Sequence, residues 1–350
     1  MEEYKSFKDF MSEGFKEKHQ LESDARYIAP DIERSLHEFE VGKEIGSPSW
    51  ISALDLTFSW KRGFQYCLTG HPNSGKTTFM FFLMILKSMR DGWKWLIWSP
   101  EMLDSFRQDG KVKISASDIY DELAFMYLGE NVYRHYYQKY NFPMVSRELY
   151  QEALYWVKQH FFVIQPEDNK YQSLVDNYLY FYEKLGTDGI CADPFKNLIM
   201  PDGDRYDNIL HRVFADIKLI TLDTNACWNW VAHPKADKNF RNTDGSYRIA
   251  TQFDLAGGAA WNNSMDVITT YYRPWVHKDY QDPLGEFHTL KVRKQQLLGR
   301  PGAYKHIEFQ FKTNRFYFDG ECPIDGSTIV PKYPSEDYRD PAEKTDFWNN

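Results

Sequence analysis

TGHPNSGKTTFMFFLMILKSMRDGWKWLIWSPEM, residues 69–102, joins a glycine loop to a long apolar run and ends at a glutamate. Gly70, Gly75, Lys76 and Thr77 match GxxxxGK[ST] without a gap, with His71, Pro72, Asn73 and Ser74 between the glycines and Thr78 behind. Glycines at these places let backbone N–H groups curl around phosphate oxygens. Lys76 supplies charge toward the outer phosphates, and Thr77 offers a hydroxyl to Mg²⁺. FQYCLTG (64–70) ahead of the loop reads as a buried strand. Thr77 to about Arg90 reads as a helix whose positive end points at the same anion. The context a phosphate loop needs, strand before and helix after, is therefore present, and nucleotide binding is expected.

Working outward, the 350 residues suffice for one large domain or two ordinary ones, and a hydrophobic fraction of 42% supports a packed core. Mean hydropathy is -0.62 with 17% aromatics. No stretch approaches the ~20 consecutive apolar residues of a membrane helix, and MEEYKSFKDF at the N-terminus lacks an apolar signal core. Cysteines stand alone at 67, 191, 227 and 322, so neither a zinc site nor a disulfide framework is indicated, and a reducing cytosolic compartment is expected. A net charge of -8 argues against a body coated in nucleic acid; any such contact must be a local basic patch.

Residues 1–50 read as one short amphipathic helix, with Phe7, Phe10, Met11 and Phe15 at helical spacing, followed by a polar linker. From 51 to 320 strands alternate with helices. WKWLIWSP (93–100), FFVIQP (161–166), DGICADPFKNL (188–198, closing on Asp193) and ACWNWVAHP (226–234) read as strands. Ser115 and Asp118 offer a capping box ahead of IYDELAFMYLG, with further helices over about 147–160, 174–182 and 206–217. DVITTYYRP, FHTLKVRK and HIEFQF read as later strands. Residues 321–350 carry seven acids against three bases and are expected to form a mobile acidic tail. Alternating units of this kind imply an α/β fold, a mostly parallel sheet with helices on both faces.

Other candidates sit at strand ends, where open parallel sheets gather ligands. Asp193 and Asp223 (in LITLDT) compete for the second carboxylate that holds Mg²⁺ through water. Glu101 is either a solvated acid or a group that polarises water, and His233 is either structural or a γ-phosphate sensor. Lys291 and Arg293 alternate on one strand and so share a face; 291–315 holds seven bases and one acid.

Together these stretches resemble the motor domain of DnaB-type replicative helicases, most closely the Twinkle and phage-like branch. GWKWLIWSPEM is similar to that family's strand with its catalytic glutamate, which falls on Glu101; CADPF resembles its second nucleotide motif and favours Asp193 over Asp223. WNWVAHP resembles the strand closing on the sensing histidine, FDLAGGAAWNNSMDVITTYYRP the segment that follows, and LKVRK the family's Lys-x-Arg. The resemblance covers roughly 55–318; only the phosphate loop is specific alone, and the ordered combination carries the rest. It implies a RecA-like core and an ATP- and Mg²⁺-dependent hexameric ring threading single-stranded DNA. In that scheme Glu101 activates water, His233 senses the γ-phosphate, and Lys291 and Arg293 act on the neighbour's nucleotide. The loop after His233, with Lys235, Lys238, Arg241 and Arg248, becomes the DNA contact, and the N-terminal helix packs on an adjacent subunit. The first 45 residues are too few for a primase, zinc module or collar domain, so a separate primase or loader is expected. A phage-infected bacterial cell is the setting implied. Competing readings are a RecA/KaiC-like ATPase that binds DNA or protein as a switch and, more distantly, a DNA-packaging motor, which would normally bring a nuclease domain.

Overall fold

The computed structural model describes residues 30–43, 45–235, 240–279 and 282–331. The expected Phe7–Phe15 helix, Lys238 and 332–350 lie outside the described residues. The chain divides into two units, Met1–Ile45 and Gly46–Asn350. In the first, the stretch read as polar linker carries a helix, α1 (Ile32–Val41), capped by the Asp31 side chain, which accepts from Arg34 N at 2.9 Å. Ile32, Leu36 and Phe39 recur at i, i+4 and i+7 and are exposed by 60, 58 and 87%, an apolar stripe along one face of α1.

The second unit opens with β1 (Ser47–Pro48), α2 (Ser52–Asp55), β2 (Ser59–Trp60), β3 (Gln65–Thr69), α3 (Lys76–Asp91) and β4 (Trp95–Trp98). A hairpin, β5 (Asp104–Gln108) and β6 (Lys111–Ser115), precedes α4 (Ser117–Leu128), α5 (Arg134–Tyr140), α6 (Arg147–His160) and β7 (Phe161–Val163). Then come α7 (Tyr171–Leu185), β8 (Gly189–Ala192), α8 (Tyr206–Thr224), β9 (Cys227–Val231), α9 (Gly258–Ser264) and β10 (Val267–Tyr272). The last elements are β11 (Leu284–Val292), α10 (Gln295–Leu298), β12 (Gly302–Gln310) and β13 (Arg315–Phe318).

Among the described residues one sheet has nine strands in the order β13-β12-β11-β10-β3-β9-β8-β4-β7. From β10 to β7 all pairings are parallel; β10 to β13 are antiparallel. The α/β expectation holds. Side chains alternate between two cores. Tyr66, Leu68, Trp95, Ile97 and Val231 face α3, α4 and α6, while Cys67, Leu96, Trp98, Trp228 and Trp230 face α7, α8 and α9. Apolar coverage on both faces is why these strands read as continuous hydrophobic runs. The long run of α3 is buried all round, from Phe79 through Ser88. All four cysteines are buried and free. No helix among the described residues is long and apolar enough to cross a membrane.

Several sequence expectations need correction. The capping box does not form: β6 runs through Ser115, so α4 starts only at Ser117, and the Ser115 hydroxyl instead bonds Ser117 at 2.6 Å. The packed unit begins at Gly46 rather than 51. The tail boundary at 321 is too early, because Cys322 and Ile324 plug the core beside β13, and Arg90 Nη2 donates to the Pro323 carbonyl at 3.1 Å. The strand of 287–294 ends at Val292, leaving Arg293 just beyond it.

Gly70 marks the closest backbone approach. With φ +148°, a Cβ there would meet the Tyr271 carbonyl oxygen at 2.3 Å. Tyr271 is in turn fixed by Phe79, the two rings stacked at 4.5 Å and 10°, with Phe316 edge-on to Phe79 at 5.0 Å. Phe79→Ala removes a fully buried ring from the hinge between α3 and the sheet. We expect a loss of about 3–5 kcal/mol in denaturant unfolding; a loss below ~1 kcal/mol would contradict this placement.

Candidate active site

Four neighbouring parallel strands, β3, β9, β8 and β4, end on the same side of the sheet and carry the candidate residues at their carboxyl ends. β3 delivers the loop 70–75. Gly75 takes φ +86° at the head of α3 and Asn73 φ +61°, while Pro72 and Asn73 face solvent and His71 and Ser74 are buried. Lys76 is buried, and its Nζ donates to the His71 carbonyl at 2.8 Å. Burial pushes the Lys76 ammonium down to about 8, helped by Lys196 and opposed by Asp193 and Glu101.

β8 ends at Ala192 and delivers Asp193, whose N–H donates to the Trp98 carbonyl at 2.9 Å. The Asp193–Pro194 peptide is cis. The Thr77 hydroxyl donates to the Asp193 carboxylate. Burial drives that carboxyl up to about 6 even though the Thr77 hydrogen bond and Lys76 favour its charge. Asp223 instead lies exposed in the last turn of α8, so the competition between the two aspartates resolves geometrically. A hydroxyl and a carboxylate are hard oxygen donors that fit Mg²⁺, which takes one or two protein ligands and completes its shell with phosphates and water.

β9 ends at Val231; Ala232 N donates to Leu68 O at 3.0 Å, which holds the following His233 beside the phosphate loop. Burial lowers the half-buried imidazole to about 4, with Lys76 and Lys196 adding to the effect, so His233 is neutral at physiological pH. β4 turns through Pro100–Met102 and presents Glu101 to solvent, where its carboxylate meets Lys196 Nζ at 3.0 Å.

Two members of this cluster escaped the sequence reading. Lys196, three residues after Asp193, sits in reach of Glu101 and exerts its charge on Lys76, Asp193 and His233. Glu122, on α4, accepts from the Thr78 hydroxyl at 3.0 Å. Its only sequence signal is that a carboxylate sits on the inward face of an apolar helix, between Ile119 and Leu123.

Lys291 and Arg293 are not part of this crevice. β11 runs antiparallel to β10, and Val292 pairs with Val267 at the start of the parallel strands, the end opposite the phosphate loop. There Lys291 Nζ donates to the carbonyls of Asn262 and Met265, the latter at 2.8 Å, while Arg293 donates to Asn263 O and lies 3.4 Å from Asp266. Burial and the adjacent Arg293 push the Lys291 ammonium down to about 8. Both residues converge on the 262–266 segment as their shared face predicts.

Of the basic loop residues, Lys235 is exposed and its N–H donates to Asp254 O at 2.9 Å. Arg241 is exposed, with its guanidinium 5.5 Å from the Tyr247 ring centre. Arg248 forks onto the Asp254 carboxylate, at 2.9 Å through Nη1 and 2.5 Å through Nη2.

No protein-family profile and no curated protein matches the sequence. Solved structures do. The ATPase domain of a phage helicase superposes with a TM-score of 0.64 at 17% identity, covering 83% of this chain and 99% of that one. The fold is that of a DnaB-type, RecA-like ATPase domain. A DnaB-like replicative helicase, described with its interactions with primase, matches at TM-score 0.60 and 16% identity, over 87% of this chain and 70% of that one. At such identities the likeness establishes architecture.

Burial raises the Glu122 carboxyl to about 6, against the Thr78 hydrogen bond and with the Asp193 charge adding to the rise. The folded state therefore holds this proton more tightly than the unfolded chain. Stability present below the usual carboxylate value is lost as pH climbs through about 6. Glu122→Gln keeps an acceptor for Thr78 and removes the charge. It should stabilise the protein by roughly 1 kcal/mol at pH 7.5, with the gain nearly gone at pH 4.5. Equal gains at both pH values in thermal unfolding would contradict it.

Proposed function

We propose that this chain is an ATP-driven helicase motor that assembles as a ring, most simply a hexamer. It translocates on single-stranded DNA during replication and hydrolyses ATP where two subunits meet. The observation that supports this best is the split of the catalytic set. Lys76, Thr77, Asp193, Glu101 and His233 converge at the carboxyl ends of β3, β8, β4 and β9, whereas Lys291 and Arg293 lie at the other end of the sheet. A γ-phosphate bound by the loop receives these two cations only from another copy.

In this reading Lys76 binds the outer phosphates, assisted by backbone N–H groups of the loop and the head of α3. Thr77 and Asp193 would hold Mg²⁺, which supplies charge neutralisation at the phosphates. Glu101 accepts a proton from the attacking water at a carboxylate oxygen. Its Lys196 partner orients it and balances its charge. His233, neutral and half-buried, is suited to hydrogen-bond the γ-phosphate and pass its presence to the loop beginning at Lys235. Lys291 and Arg293 neutralise charge developing on the neighbour's nucleotide; trans-acting arginines of this kind contribute about 10³–10⁵ in rate. Lys235, Lys238, Arg241 and Arg248 face the strand, a narrow basic lining that accommodates the overall charge of -8. The apolar stripe of α1 is suited to pack on an adjacent subunit. A cytosolic setting and a separate primase or loader complete the proposal.

On a forked duplex with ATP and Mg²⁺ the protein should separate strands, and Lys76→Ala should lower ATP hydrolysis by at least about 100-fold. ATP hydrolysis stimulated by single-stranded DNA without strand separation would sink the helicase reading in favour of a RecA/KaiC-like switch.

A further inference from the structure

The second residue of the phosphate loop is built into the loop assigned to DNA. His71 is 2% exposed, and its ring is packed by neither the sheet nor α3. Instead it stacks on Tyr247 at 4.2 Å and 14°, and Phe240 meets it edge-on at 5.0 Å. Its Nε2 donates to the Arg248 carbonyl at 2.7 Å. These partners belong to one small closed turn: Arg241 pairs with Tyr247, and Arg248 N donates to Phe240 O at 2.8 Å. The turn is tied at its far side to Asp254 through the Arg248 fork, and the Lys235 N–H, just past His233-Pro234, donates to the same residue's carbonyl.

The backbone of His71 faces the other way, for its carbonyl accepts from Lys76 Nζ at 2.8 Å. One residue thus touches the phosphate-binding ammonium through its carbonyl and the 240–248 turn through its ring. Neither contact is a loose surface contact. The ring is buried, aromatic on two sides and hydrogen-bonded, so a shift of the loop backbone by a fraction of an ångström must either carry the turn along or break the stack.

We propose that His71 is a positioning residue that couples the phosphate loop to the 240–248 turn, so that nucleotide binding and single-stranded DNA binding are linked through the His71–Tyr247 stack. The DNA half of this statement rests on the assignment of that loop made above; the nucleotide half does not. This route is separate from His233, reaching the turn from the start of the phosphate loop rather than along the end of β9.

The test is hydrogen–deuterium exchange of the full chain, with and without a non-hydrolysable ATP analogue and Mg²⁺, at concentrations where analogue binding is saturated for each variant. In the wild type the analogue should change exchange at amides 240–248 by about 5-fold or more, the lower end of ordinary coupling. Tyr247→Phe, which keeps the ring, should respond as the wild type does. Tyr247→Leu, which fills the space without a stack, should respond by less than ~2-fold. A wild-type-sized response in Tyr247→Leu, or none in the wild type, overturns the coupling. A second titration measures how far oligo-dT tightens analogue binding; the factor should fall toward one in Tyr247→Leu and persist in Tyr247→Phe. A protein whose 240–248 amides answer to nucleotide but which binds no oligo-dT keeps the coupling and removes the DNA assignment. A protein that binds oligo-dT while those amides ignore nucleotide does the reverse.

Discussion

Lys76 and Asp193 place opposite charges, both buried, at the head of α3, and burial moves each toward neutrality, to about 8 and about 6. Neither charge is cheap to keep there, since a buried ion is tolerated only when paired or hydrogen-bonded. The sheet makes the arrangement unavoidable. Fully apolar strands cannot carry polar groups along their length, so every polar side chain that β3, β9, β8 and β4 contribute to chemistry falls at or just beyond their ends. The Trp98 carbonyl receives Asp193, the Leu68 carbonyl receives Ala232, and the site is thereby assembled from backbone register. A polyphosphate with its divalent cation supplies opposite charge to both buried groups at once, and the balance at the head of α3 is suited to such a ligand.

What could be read in advance followed from contiguity. The phosphate loop is local, and the buried strands announce themselves as apolar runs, so Gly70, Lys76, Thr77, Asp193, Glu101 and His233 were placed correctly at strand ends. Lys196 and Glu122 were not seen because each matters only through a neighbour far along the chain: Glu101 is 95 residues from Lys196 (196 minus 101), and Thr78 is 44 from Glu122. The β5–β6 hairpin was missed although its signal was present. Asp109-Gly110, both with positive φ, forms the two-residue turn that matches strand twist. Charged residues throughout DSFRQDGKVKIS concealed it, since both faces are exposed and no apolar alternation remains. The tail was misjudged for the opposite reason. Its acids dominate the composition, while two buried residues, Cys322 and Ile324, decide where 321–331 packs.

The weak sequence identity to structures of the same fold has a physical counterpart. Both cores here are filled by an unusual density of aromatics, with Trp60, Trp93 and Trp95 on one face of the sheet and Trp228, Trp230 and Trp261 on the other. Volume and alternation are preserved where identity is not. The architecture therefore survives at 16–17% identity, and the function has to be argued from the site.

The central claim is that each crevice is half of an active site, completed by another copy. Mixing Lys76→Ala subunits with Arg293→Ala subunits tests it most directly, since neither variant alone has a complete site while a mixed interface contains one. Lys218 stays paired with Asp266 at 2.7 Å when Arg293 is truncated, so the 262–266 segment keeps its anchor. The account predicts that DNA-stimulated ATP hydrolysis, near zero for each protein alone, reappears on mixing. Arg293→Ala protein with wild-type hydrolysis by itself, or a mixture as inactive as its components, would contradict it.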